Sequence, residues 1–240
     1  KTRNGDRQAP EGFYHVSAPM FNPNSQYYLS FNLGYPNKLE SALGYTGEAL
    51  MVHGACSSSG CFALTDQGVA EIYAVAREAL KGGQRSFQVQ AFPFRMTPEN
   101  MARNRGNPNF QFWTDLKKGY DIFEIARRQP KVSYCGRRYV FDAEFEGGEP
   151  DDPLAICPPV IGSEDPAIAS RSQADRIAME NLPSGTALSA HAYADGGMHP
   201  SFRKLLERNG EKELAKRTSL TSVPISRPEA AAADPHKEGE

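Results

Sequence analysis

The sequence predicts an α+β fold, mainly β, with a few helices packed around a mixed sheet or sandwich. Three observations predict it. Short runs rich in aromatic and β-favouring residues, such as 27–33 and 87–91, are separated by Gly, Pro and Asn turn chemistry. Other stretches repeat apolar residues at helical spacing, as do Val69, Ile72, Tyr73, Ala76 and Leu80. Apolar residues are plentiful from 13 to 145 and thin out after Pro159, so the core belongs to the first two thirds of the 240-residue chain. The expected organisation is one domain over 1–160, a helical appendage over 161–217 and a disordered tail over 218–240.

The elements follow in order. Phe13, Tyr14 and Val16 open a strand, and Tyr27 to Leu33 reads as a second. Gly34-Tyr35-Pro36-Asn37 is a turn, and the apolar run ending at Val52 is a buried strand that stops at His53-Gly54. Thr65 reads as an N-cap, Asp66 favours the positive end of the helix that follows, and Gly82-Gly83 ends it. Phe87, Val89 and Ala91 alternate with Gln88 and Gln90, giving a strand with one wet face. Thr97-Pro98 opens a helix. A longer one covers 110–128, with Trp113, Leu116, Tyr120 and Phe123 on one side and Gly119 weakening it. Residues 131–134 and 138–141 form a hairpin around Cys135-Gly136, and 163–181 and 201–216 are further helical stretches.

A formal net charge of −2 lacks the basic excess of a nucleic-acid binder. No apolar run approaches the roughly 18 residues of a transmembrane helix. Residues 1–10 lack the charged-then-apolar architecture of a signal peptide and no Met begins them, so the start reads as a processed or truncated product. Among the four cysteines, Cys135 and Cys157 suit a bridge in an oxidising compartment; two buried free thiols are the other reading.

Chemistry concentrates between Met51 and Asp66. A strand ends at His53-Gly54, and the small residues Ala55, Cys56, Ser57, Ser58, Ser59 and Gly60 lead to Cys61, just ahead of a helix. Only small side chains intervene, so the loop can fold tightly and bring imidazole to thiol. Positive potential at a helix start favours a thiolate, and a neighbouring His can take the thiol proton and return it to a leaving amine. Gly60 allows close backbone approach, and the amides around Gly60 and Cys61 suit an oxyanion hole. The residues alone leave alternatives open: a structural pair, or a zinc site built from His53, Cys56 and Cys61, although no fourth ligand is evident nearby. Cys56 reads as a small buried residue, Asp66 as a helix-start residue and Trp113 as core. His15, His191, His199 and His236 have no convincing partners in sequence.

His53-Gly54 followed by Ser59-Gly60-Cys61 resembles the signature of the L,D-transpeptidase (YkuD-type) catalytic domain, and the wider sequence resembles its YafK-like branch. Further stretches carry the resemblance: Pro10-Glu11-Gly12-Phe13-Tyr14, the run from Tyr28 through Asn37, and Phe92-Pro93-Phe94-Arg95-Met96-Thr97. Phe112-Trp113, Leu116-Lys117, Gly119-Tyr120-Asp121 and Phe123-Glu124 extend it, so that it spans about Gly5 to Pro158. Most members carry a His before the Gly-Cys and an Arg or Asn two residues after the Cys. Here those places hold Ser59 and Ala63. Members also have β-strands upstream of the region matching Gly5, which this sequence lacks.

The resemblance implies a cysteine enzyme of the cell envelope or periplasm that acts on peptidoglycan stem peptides, with no cofactor and no metal. Cys61 would attack a stem-peptide carbonyl and form a thioester, with His53 as base and a backbone carbonyl near Gly54 holding the second ring nitrogen. Gly54, Ser59 and Gly60 would shape the loop and oxyanion site. Arg95 would be either a replacement cation for a peptide carboxylate or an ordinary surface residue. An amine acceptor makes the protein a transpeptidase and water makes it a hydrolase. One hydrolytic form would cut the amide joining an envelope protein to peptidoglycan, which makes that protein a further partner. A non-catalytic wall-binding module is the remaining alternative.

Overall fold

The computed structural model describes residues 1–6, 8–55, 58, 60–162, 165–183 and 208. In chain order the strands are β1 (Gly12–Ser17), β2 (Phe21–Asn22), β3 (Ser30–Asn32), β4 (Met51–His53), β5 (Phe62–Ala63), β6 (Ser86–Ala91), β7 (Val132–Cys135), β8 (Arg138–Phe141), β9 (Glu144–Phe145) and β10 (Val160–Ile161). The helices are α1 (Lys38–Ala42), α2 (Thr65–Lys81), α3 (Pro98–Arg103), α4 (Phe110–Ala126) and α5 (Pro166–Asn181). The class is the α+β one expected; helix takes the larger share, 37% against 19% strand among the described residues.

Two units divide residues 1–183 among those described, one built from Lys1–Pro36 and Thr46–Val89, the other from Asn37–Tyr45 and 90–183. The first holds a four-stranded sheet in the order β2-β3-β4-β5, antiparallel at β2–β3 and β3–β4 and parallel at β4–β5. β1 pairs with β6 in a separate ladder. Aromatic contacts fill the space between α2 and the sheet: Phe21 meets Tyr73 with ring centroids 4.6 Å apart, and Phe31 meets Phe87 edge-on at 5.6 Å. Val69, Tyr73 and Ala76 are the buried face of α2, whereas Ile72, grouped with them by spacing, is 43% exposed. The run expected as a strand over 27–33 pairs only from Ser30; Tyr28 has φ +72 and both Tyr27 and Tyr28 are about half exposed.

In the second unit, Asn37 does more than end a turn. Its side chain accepts from Glu40 N–H at 3.0 Å while Glu40 Oε2 accepts from Asn37 N–H at 2.7 Å, a reciprocal cap that starts α1. Thr97 caps α3 as its sequence predicts, accepting from Asn100 N–H at 3.3 Å. Trp113 is core, edge-on to Phe94 at 5.2 Å, but Phe123 turns outward at 38% exposure. The face of α4 instead buries Lys117 and Asp121, and Lys117 bridges Asp121 to Asp175 on α5. The hairpin β7–β8 forms with Cys135 opposite Arg138, and Cys135 is bonded to Cys157 across a separation of 22 residues. Helix α5 lies where the 163–181 stretch was expected; the helix expected over 201–216 and the tail from 218 fall outside the described residues, Arg208 excepted.

Candidate active site

The described members of the His-Cys constellation lie in the first unit. His53 is the last residue of β4, flanked in register by Ser30 of β3 and Ala63 of β5. Its carbonyl accepts from Leu64 N–H at 2.9 Å, which fixes the backbone on the β5 side. The imidazole is buried, with the Tyr27 ring tilted against it at 4.8 Å between centroids. Nδ1 lies 2.5 Å from the carbonyl oxygen of Gly54. A carbonyl can only accept, so Nδ1 bears the proton and, in the neutral ring, Nε2 keeps its lone pair.

Gly54 is a steric requirement. A Cβ there would come within 2.6 Å of both Asp66 Oδ1 and the Tyr27 carbonyl oxygen. Gly54 N–H donates to Leu29 O at 3.1 Å, and Ala55 N–H donates to Asp66 Oδ1 at 2.8 Å. The backbone leaving His53 is therefore held from both sides.

Cys61 arrives through a tight turn. Ser58 Oγ donates to Cys61 O at 2.6 Å and accepts from Gly60 N–H at 3.2 Å. Gly60 sits at φ +124, a conformation closed to residues with a side chain. Its N–H is thus engaged by Ser58, whereas the Cys61 N–H meets no acceptor among the described residues. Extending the β4–β5 register by one residue sets Cys61 level with Met51, whose N–H donates to Cys61 Sγ at 3.4 Å. Met51 and His53 project from one face of β4. The thiol is free and half-buried. Among the described residues its hydrogen-bond partner is Met51, not His53.

One expectation needs correction. Cys61 does not immediately precede a helix, because β5 intervenes and α2 begins at Thr65. The start of α2 serves the His53 side of the loop instead. Thr65 Oγ1 accepts from Gly68 N–H at 3.2 Å, as an N-cap does, and Thr65 N–H donates to Ala55 O at 2.9 Å.

Cys56 and Ser59 lie outside the described residues. Among those described, no group of three His, Cys, Asp or Glu side chains is arranged to hold a metal ion. Arg95 belongs to the second unit, where it is exposed and its carbonyl accepts from Thr97 N–H at 2.8 Å and Asn100 Nδ2 at 2.9 Å. That unit also has a cavity of about 410 Å³ lined by Lys118, Arg128, Arg138 and Asp142. Arg128 is tied to Asp142 and Lys118 to Asp115, so most of the cavity's positive charge is answered locally. Residues that sequence reasoning missed are Tyr27, Met51 and the reach of Asp66. The motif spacing marks His53 and Cys61 but carries no trace of these neighbours.

Comparison with known proteins supports a YafK-like L,D-transpeptidase domain. Over 140 residues, 58% of this chain, it is 48% identical to "Putative L,D-transpeptidase YafK" of Escherichia coli strain K12, and equally to the protein of that name in E. coli O157:H7. The matched stretch is 57% of each relative, so the chain spans little more than half the length of the curated relatives it matches. No protein-family model matches. Among solved structures it is similar to the helical cell shape determining protein Pgp2 (K307A mutant) of Campylobacter jejuni. That match is 28% identical, covers 38% of this chain and 32% of the other, and has a TM-score of 0.31. So low a score leaves the fold to be argued from the elements described above.

Proposed function

We propose that this domain is a cysteine acyltransferase of the L,D-transpeptidase type, acting on peptidoglycan stem peptides through a thioester on Cys61. The observation that carries the reading is the state of His53. Its Nδ1 is tied to Gly54 O, which leaves Nε2 as a proton acceptor two residues along the register from the only free thiol among the described residues. Nε2 takes the proton of Cys61, and the sulfur attacks a stem-peptide carbonyl, typically the one following a diaminopimelate residue. The departing amine leaves with the proton from the imidazolium. Cys61 N–H donates to the oxyanion. An incoming stem-peptide amine then resolves the thioester. Arg95 is a proposed cation for a peptide carboxylate. The Cys135–Cys157 bridge supports action in an oxidising compartment such as the periplasm.

A hydrolytic reading is favoured by one observation. Ala63, directly beside His53 in the register, is apolar, so no polar side chain there holds an acceptor amine. Water would then resolve the acyl-enzyme, on stem peptides or on the amide joining an envelope protein to peptidoglycan.

Incubation with disaccharide-tetrapeptide separates the two, since transfer yields cross-linked dimers and hydrolysis yields trimmed peptides. Intact mass after carbapenem treatment tests the thiol itself. The expected result is one adduct on the wild type and none on Cys61→Ala. An unmodified wild type with Cys61 demonstrably reduced would favour a non-catalytic wall-binding module.

A further inference from the structure

We propose that Asp66 is a positioning residue, acting through the Gly54–Ala55 peptide to fix the tautomer and orientation of the His53 imidazole. Its functional consequence rests on the Cys61–His53 reading above. Its geometry stands independently of it.

The Gly54–Ala55 peptide unit is gripped at both ends. Its N–H, on Ala55, donates to Asp66 Oδ1 at 2.8 Å; its carbonyl, on Gly54, accepts from His53 Nδ1 at 2.5 Å. These two groups belong to one planar, resonance-coupled amide. A carboxylate at the N–H end draws electron density onto the carbonyl oxygen and strengthens its hold on Nδ1–H, as successive hydrogen bonds polarise one another. The carboxylate thus does for His53, at one remove, what a directly bonded Asp does for the imidazole in a Ser-His-Asp triad.

Three observations separate this role from ordinary helix capping. Thr65 already caps α2 through its bond to Gly68, so the Asp66 oxygen bonded to Ala55 points out of the helix. Ala55 is a non-glycine residue at φ +58, held there by two residues of α2: Thr65 N–H on its carbonyl and Asp66 on its N–H. Finally, Asp66 Oδ1 occupies the space a Gly54 Cβ would need, so the peptide and the carboxylate are fitted to one another.

The test uses the full chain and two readouts. One is the rate of Cys61 alkylation by iodoacetamide and of acylation by carbapenem, followed by intact mass. The other is the ring-nitrogen NMR of His53, assigned by its loss in His53→Gln. In the wild type the neutral ring should carry its proton on Nδ1. Asp66→Ala should give a tautomer mixture and slow acylation by about 10- to 100-fold, the range typical of partners that orient a working imidazole from one shell out. Carbapenem affinity should hold while the acylation rate constant falls. Asp66→Asn, which keeps an acceptor oxygen, should restore most of both. Asp66→Ser suits a helix start but is too short to reach Ala55, and serves as the second variant if Asp66→Ala melts. Wild-type tautomer and wild-type rates in a folded Asp66→Ala or Asp66→Ser would overturn the proposal. A wild type that is never acylated, yet loses its Nδ1 tautomer in Asp66→Ala, would sink the acyl-transfer reading and leave the positioning role standing.

Discussion

The sulfur of Cys61 lies 3.4 Å from the backbone nitrogen of Met51, where the parallel β4–β5 ladder runs out. Were the ladder to continue, a backbone carbonyl would occupy that place. A thiol is a weak acceptor there, and a thiolate a much better one. The bond in the resting thiol form therefore adds little to the stability of the fold. Cys61→Ala leaves Met51 N–H at a half-exposed site that water can reach, so the expected cost is below about 1 kcal/mol. Thermal melting should move by less than about 4 °C. A larger drop would mean that the sulfur is a structural pin.

Gly54→Ala should behave very differently. The new Cβ meets a backbone oxygen and a carboxylate at 2.6 Å, and the Tyr27 carbonyl cannot swing away like a side-chain tip. Overpacking of this kind costs about 1–3 kcal/mol. Relief by backbone movement would also carry Gly54 O away from His53 Nδ1. Melting temperature and Cys61 acylation rate should therefore fall together. Gly106→Ala is the control, because a Cβ at Gly106 meets nothing within 4 Å. It should change neither.

Asp6 supplies a pH dependence. Burial pushes its carboxyl upward, but Lys1 Nζ at 2.6 Å and the N–H groups of Arg3, Thr2 and Gln8 outweigh that and hold it far below its ordinary 3.8. A carboxyl depressed in the folded state stabilises above its unfolded value, and the gain is lost as pH falls through the folded one. Asp6→Asn should thus be less stable than wild type at pH 7. The gap should narrow progressively below about pH 4. Urea titrations of both proteins at pH 7, 4 and 2.5 check this, and a gap independent of pH would refute it.

Local signals explain what could be read ahead of the structure. Thr65 and Gly82 bound α2, Thr97-Pro98 opens α3, and Cys135-Gly136 turns the β7–β8 hairpin, each by chemistry confined to a few neighbouring residues. His53 and Cys61 were legible for the same reason, as two reactive types joined by a loop of small residues. What stayed hidden is set by distant partners or by very short elements. The two-residue β5 is too brief to leave a periodic trace, so Cys61 read as a helix-start residue. The aromatic run at Tyr27 and Tyr28 read as strand, whereas Tyr27 packs on His53. On α4 the burial of Lys117 left no local trace, because one of its partners, Asp175, lies on another helix.

That buried cluster gives the sharpest stability test. Lys117 Nζ bonds both oxygens of Asp121 at 2.7 Å and Asp175 Oδ2 at 2.6 Å, and Arg171 Nε reaches Asp175 Oδ1 at 2.8 Å. Lys117→Met removes the shared cation and leaves Asp121 without its nearest counter-charge, which should cost about 3–5 kcal/mol near neutral pH. The cost must depend on pH. Burial already pushes the Asp121 carboxyl upward against the pull of Lys117, and losing the lysine pushes it further. A carboxyl raised in the folded state contributes stability below its unfolded value and loses it as pH rises through the folded one. Protonation at low pH neutralises the stranded group, so the difference between Lys117→Met and wild type should be smaller at pH 4 than at pH 7.5 in urea unfolding. Lys117→Met/Asp121→Leu removes the stranded charge outright and leaves Asp175 paired with Arg171, so it should recover most of the loss at pH 7.5. A double variant no more stable than the single one would show that the ammonium matters for packing and not for charge.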